Sequence, residues 1–181
     1  MRQYDRAIAG ELKCLRRAPK DFWAHVILGW AYEQKRMYPE GLSELRTAVQ
    51  LSNNLPFTLA AFGEAQAASG DRRGALEVLS KLKETAKVRY VSAYDVSMIY
   101  AALGSKSQAF AWLEKAERDH SSLLPYITWD RRADNLRTDP RFHALLQRLG
   151  LPITAYTTGP SSKAEAKAAT SSNRAGAATA N

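Results

Sequence analysis

Apolar residues return along this chain every three or four positions. Tyr4, Ile8, Leu12 and Leu15 make one such stripe, and Phe142, Leu145, Leu146 and Leu149 make another. This spacing puts apolar side chains on one face of an α-helix. It predicts helices near residues 2–17, 21–36, 39–52, 55–69, 72–86, 90–103 and 106–119. The punctuation agrees: Pro39 suits a first helical turn, and Gly70 and Gly104 suit helix C-termini. A last helix opens with Asp139 as N-cap candidate and Pro140 at the first helical position, and it ends at Gly150 and Pro152.

The helical pattern also repeats every 34 residues. Ala7, Gly41, Ala75 and Ala109 are spaced by 34, as are Cys14, Ala48, Leu82 and Ala116. Ile8, Leu42, Leu76 and Phe110 keep the same register, and so do Glu11, Leu45, Leu79 and Leu113. Upstream, Leu28-Gly29, Phe62-Gly63 and Val96-Ser97 follow it, with Tyr32, Gln66 and Tyr100 behind them. Such a period calls for a helix pair as the repeating unit. Small residues at Gly29, Gly63, Gly41, Ala75 and Ala109 let two helix backbones approach. Large ones at Leu28, Tyr32, Leu45, Leu79, Tyr100 and Leu113 fill the space between neighbours. Cys14, in a small-residue register, is expected to pack.

This register resembles the tetratricopeptide repeat family, whose pattern runs Trp-x2-Leu-Gly-x2-Tyr, Ala-x3-Phe, Ala, Pro. One unit here reads His25-x2-Leu28-Gly29-x2-Tyr32, then Gly41-x3-Leu45, Ala48 and Asn53. A partial unit before it supplies Tyr4, Ala7, Cys14 and Pro19. The leading Trp is absent, Pro survives only as Pro19, and Gln66 replaces a tyrosine. The resemblance covers about residues 1–120. It implies an all-α fold, a right-handed α-solenoid of antiparallel helix pairs. Residues 121–151 then form a C-terminal capping segment, because a solenoid needs its last open face covered. Ala109-Phe110-Ala111-Trp112-Leu113-Glu114-Lys115-Ala116 followed by Leu136-Arg137-Thr138-Asp139-Pro140-Arg141-Phe142 is similar to the end of many bacterial repeat proteins.

Composition changes this picture at the ends. Residues 152–181 hold nine Ala, five Thr and four Ser, with Tyr156 as sole aromatic. Such a segment buries too little apolar surface to offset the entropy of ordering, and is expected to be a disordered tail. The net charge of +8 is spread out: residues 1–20 carry +4, residues 21–122 sum to zero, and residues 123–151 and 152–181 carry +2 each. The six bases of the first segment spread around a helix instead of making the single patch expected of a nucleic-acid binder. No apolar run is long enough for a transmembrane helix, and the first residues lack a signal-peptide core, so a cytoplasmic protein is expected. The first helix lacks a preceding partner in its repeat. Its stripe through Tyr4, Ile8, Leu12 and Leu15 therefore suggests a fragment, or self-association through residues 1–20.

The candidate chemistry is sparse. One cysteine and three histidines, His25, His120 and His143, supply no zinc-binding spacing. His25 is read as core, His120 as a helix-end residue and His143 as exposed. Gly70-Asp71-Arg72-Arg73-Gly74 lacks the Gly-Lys-Ser/Thr of a phosphate loop. No enzyme activity, cofactor or metal is expected. In the family that this chain resembles, the first helix of each pair lines a concave groove that binds protein. The matching positions place Trp23, Val26, Trp30, Glu33, Phe57, Glu64, Tyr94 and Met98 in a partner-binding groove. Trp23 and Trp30 either line it or pack under neighbouring helices. Val26, Ala60 and Tyr94 stand where chaperone-binding members carry a carboxylate-clamping Lys, so an apolar peptide or helix is the expected partner. The function expected is a protein-interaction scaffold. The alternative is the C-terminal sensory or docking part of a bacterial transcriptional regulator or signalling enzyme (a kinase or cyclase) whose effector domain lies outside this chain.

Overall fold

The computed structural model describes residues 2–152, so the expected tail, from residue 153 on, lies outside the described residues. The described chain is helical: α1 (Arg2–Arg17), α2 (Phe22–Gln34), α3 (Tyr38–Leu51), α4 (Pro56–Ala68), α5 (Arg72–Thr85), α6 (Ala93–Ala102) and α7 (Lys106–Arg118). Two 3-10 turns follow, Leu124–Thr128 and Arg131–Leu136, and then α8 (Pro140–Arg148). Each helix begins and ends within a few residues of its expected limits. No described helix is long and apolar enough to cross a membrane.

The helices start where the sequence offers caps. The Asp21 carboxylate accepts from the backbone N–H of Trp23 at 2.9 Å, Asp71 from Gly74 at 2.9 Å, and Ser92 from Asp95 at 3.2 Å. Each satisfies a donor that the first helical turn leaves open. Three helices of the repeat, α2, α4 and α6, stop by one device. Gly70 N–H donates to Ala67 O while Asp71 N–H donates to Gln66 O; Gly104 and Ser105 do the same to Ala101 and Tyr100. The first residue of each pair has a positive φ, 93° at Gly70 and 72° at Gly104. This is the Schellman ending. The third instance, again 34 residues away, falls on Arg36 (φ 60°), whose N–H donates to Glu33 O while Met37 donates to Tyr32 O.

The described residues fall into two compact units, residues 2–136 and 137–152. In the first, the most extensive packing joins α2 to α3, α4 to α5 and α6 to α7, and α4 also packs on both α2 and α6. Small residues make the close approaches. A Cβ on Gly41 would lie 3.0 Å from Gly29 O, and one on Gly63 would lie 2.6 Å from Val78 Cγ1. Ala48, Ala75, Ala109 and Ala116 are fully buried, and so are Leu28 and Leu45. Cys14 differs from expectation: it is exposed. The described side chains of α1 are exposed or half-buried, because among the described residues α1 packs chiefly on α2.

In the second unit, Asp139 accepts from Arg141 N–H at 3.0 Å and caps α8, whose Phe142, Leu145 and Leu146 are buried. The Arg137 guanidinium stands 5.6 Å over the Phe142 ring. His143, expected on the surface, is half-buried with its Nε2 enclosed.

Candidate functional site

The helix register brings three of the expected groove residues together. Trp23 and Trp30 are seven apart on α2, two turns along one face, and Phe57 opens α4 beside them. Their ring centroids lie 6.2 Å (Trp23–Trp30), 5.2 Å (Trp23–Phe57) and 5.9 Å (Trp30–Phe57) apart. Two of the pairs meet edge to face, at 82° and 84°, the arrangement that the ring quadrupoles favour. Trp23 keeps 47% of its surface exposed, which is unusual for so large an apolar group.

Four other expected groove residues lie in the interior, which corrects that part of the expectation. Val26 is wholly buried among Leu45, Ala48, Ala61 and Ala65, because this face of α2 turns toward α3 and α4. Met98, Tyr94 and Glu64 are 0%, 1% and 2% exposed. Tyr94 is covered by the chain itself. Its hydroxyl donates to Asp130 at 2.8 Å, and the Arg132 guanidinium sits 5.9 Å over its ring. The same guanidinium lies 5.3 Å over Trp30. Residues 124–136 therefore lie against α2 and α6, where the expectation left an open surface. Asn135 Nδ2 holds them there by donating to Ala101 O at 2.6 Å, and Arg131 donates to the Tyr4 hydroxyl of α1 at 3.1 Å.

Under this segment is a buried cluster of charge. Arg132 grips Asp130 with Nη2 at 2.7 Å and Nε at 3.1 Å, and its Nη1 is 3.8 Å from Asp95. Burial alone would lower the Arg132 pKa, but Asp130 outweighs it and holds the guanidinium charged. Burial would likewise raise Asp130; the hydrogen bonds and charge of Arg132, with the Tyr94 hydroxyl, hold its carboxyl below the ordinary value. Asp95 goes the other way, raised by burial. Glu33 and Glu64 are neighbours, and a hydrogen bond between the two carboxyls would need a proton on one of them. Burial raises both, and the Glu33 charge pushes Glu64 further up. One oxygen of each, Oε2, is enclosed with no hydrogen-bond partner, as is Trp30 Nε1. Two carboxyl groups, Asp130 and Asp95, thus stand beside one cation, whose charge also reaches Glu33 and Glu64.

Beside the cluster opens a pocket of about 340 Å³, lined by Tyr4, Trp30, Glu33, Gln34, Tyr126, Trp129, Asp130, Arg131 and Arg132. Trp30 and Glu33 were expected at a site. Asp130, Arg132, Trp129 and Tyr126 were not, since they follow the last repeat, and Tyr4 was expected only on the self-association stripe of α1. The only sequence signal there is Trp129-Asp130-Arg131-Arg132, an aromatic and charged run outside the repeat. Among the described residues no three His, Cys, Asp or Glu side chains are placed to hold a metal ion. His25, expected in the core, is half-buried at the α2–α3 contact, with Nδ1 2.6 Å from Glu44 Oε2. Comparison with protein-family models, with curated proteins and with solved structures finds no match to this chain.

Proposed function

We propose that this chain is a protein-interaction scaffold built as a tetratricopeptide-like right-handed solenoid, without chemistry of its own. Its partner is an apolar peptide or helix that docks against Trp23, Trp30 and Phe57. The observation that carries the reading is that aromatic face, with Trp23 nearly half exposed and held rigidly edge to face against its neighbour. Rigid aromatic rings supply large contact area at little entropic cost, and they dominate binding energy in such interfaces. The 34-residue register, repeated in the Schellman endings at 36, 70 and 104, supports the solenoid. Residues 124–136 narrow the docking surface to the α2–α4 end, away from Tyr94 and Met98.

Peptides selected from a displayed library on the immobilised protein test the reading. Selected peptides should share an apolar anchor, and their affinity should change little with salt. Trp23→Ala, checked for retained helicity, should weaken them by about 2 kcal/mol. Equal affinity for the folded variant would overturn this site.

A further inference from the structure

We propose that the pocket between α1, α2 and residues 126–132 binds an organic cation, an alkylammonium or guanidinium group no larger than an amino-acid side chain. The argument is one of charge and shape. The two arginines of the lining are already engaged. Arg132 is gripped by Asp130 and faces Trp30 and Tyr94; Arg131 donates to Tyr4 and lies 3.8 Å from Asp134. The Glu33 carboxyl feels the Arg132 charge but is not gripped by it as Asp130 is. It lines the pocket with one oxygen enclosed and unpartnered, and behind it stands Glu64 in the same condition.

Among the buried groups, Glu33, Glu64, Asp95 and Asp130 share one cation, Arg132; the other arginine of the lining, Arg131, is exposed and lies beside Asp134. A buried excess of negative charge is costly unless a proton or a cation relieves it. Burial and the Glu33 charge favour a proton on Glu64, which relieves part of it; a bound cation would relieve more. The pocket walls suit such a guest. Trp30, Trp129, Tyr126 and Tyr4 contribute four aromatic side chains to the lining that Glu33 shares, with Trp129 74% and Tyr126 64% exposed. Aromatic faces attract cations through their quadrupole. A pocket of about 340 Å³ is at the small end for a ligand site. A bare metal ion is disfavoured because the carboxylates do not converge as a ligand set. The inference does not rest on the peptide reading: a free amine would bind whether or not a peptide docks at Trp23.

The test is titration of the full chain at constant ionic strength, followed by tryptophan fluorescence and calorimetry. The probes are n-butylammonium and N-acetyl-lysine methylamide, with n-butanol and butyrate as neutral and anionic counterparts. Saturable binding of both cations, and of neither counterpart, is expected. Glu33→Gln, which keeps the side-chain volume, should weaken it about tenfold, and Trp129→Ala, a surface change, should weaken it comparably. No saturable binding, an equal response to n-butanol, or unchanged affinity in both variants would overturn the proposal. Tighter binding of a lysine within a longer peptide would assign the cation to a partner's side chain; equal binding would assign it to a small amine.

Discussion

At the scale of single residues, the most telling position is Arg36. It occupies the left-handed place that Gly70 and Gly104 occupy in the other two endings, with φ 60°. A side chain there crowds the following carbonyl and costs about 1 kcal/mol, which glycine avoids. Arg36→Gly should therefore raise the free energy of unfolding in urea by about 1 kcal/mol; a loss of stability would show that the Arg36 side chain makes a contact worth more than the strain. Glu64 makes the second residue-scale case. Its carboxyl holds a proton more tightly in the folded chain than in the unfolded one, by burial and by the charge of Glu33. The unfolded chain then binds fewer protons between the ordinary value of 4.5 and the raised one. Stability from this group is complete below the ordinary value and falls as pH rises through the folded one. Asp130, with its lowered value, acts oppositely and loses its contribution only in strong acid. Glu64→Gln should flatten the decline of stability above about pH 4.5, as measured by urea unfolding across a pH series. An unchanged slope would mean that Glu64 does not hold the proton.

Elements are decided by where small residues stand. Gly63 on α4 meets Val78 of α5 and Ile99 of α6, the latter at 3.3 Å from an ideal Cβ. Gly10, in the middle of α1, has nothing within 4 Å of such an atom. The same substitution should then have opposite signs. Gly63→Ala overpacks a helix–helix contact and should cost about 1–3 kcal/mol. Gly10→Ala relieves only backbone entropy and should stabilise by about 0.5–1 kcal/mol. Thermal unfolding of the two variants checks both; matching signs would show that the 34-residue small positions are not packing positions.

Across the first unit as a whole, residues 124–136 are joined to α1, α2 and α6 by a few polar contacts that centre on Arg132. Removing one partner from a buried ion pair costs about 3–5 kcal/mol, because the other charge stays buried. Arg132→Met should fall in that range and loosen residues 124–136 and α6 in hydrogen exchange. The double variant with Asp130→Asn should recover part of the loss. If the double variant were as unstable as the single, the ion pair would not be the source.

How far the sequence reached is visible in particular residues. Helix limits, Gly29, Gly63 and Ala75 were legible because they depend on contacts within a helix pair, which a 34-residue period samples again and again; the cap at Asp139 was legible because a cap is set by residues a few positions apart. Trp23, Trp30 and Phe57 were among the eight positions that the resemblance implied for a groove; that these three meet is seen in the structure. The buried states of Val26, Tyr94 and Met98 were not legible. Periodicity says which residues share a helix face but not what lies against that face. Here it is another helix for Val26 and the chain's own residues 124–136 for Tyr94. The charge cluster was hidden more deeply still. Glu33, Glu64, Asp95, Asp130 and Arg132 come from α2, α4, α6 and the segment after the last repeat, so no local spacing joins them. By itself the sequence determined the helices and their pairing, which short-range packing dictates. Only the tertiary structure decided that a segment outside the repeat would bring a single guanidinium to four carboxyl groups, because charge that meets across long stretches of chain leaves no periodic mark.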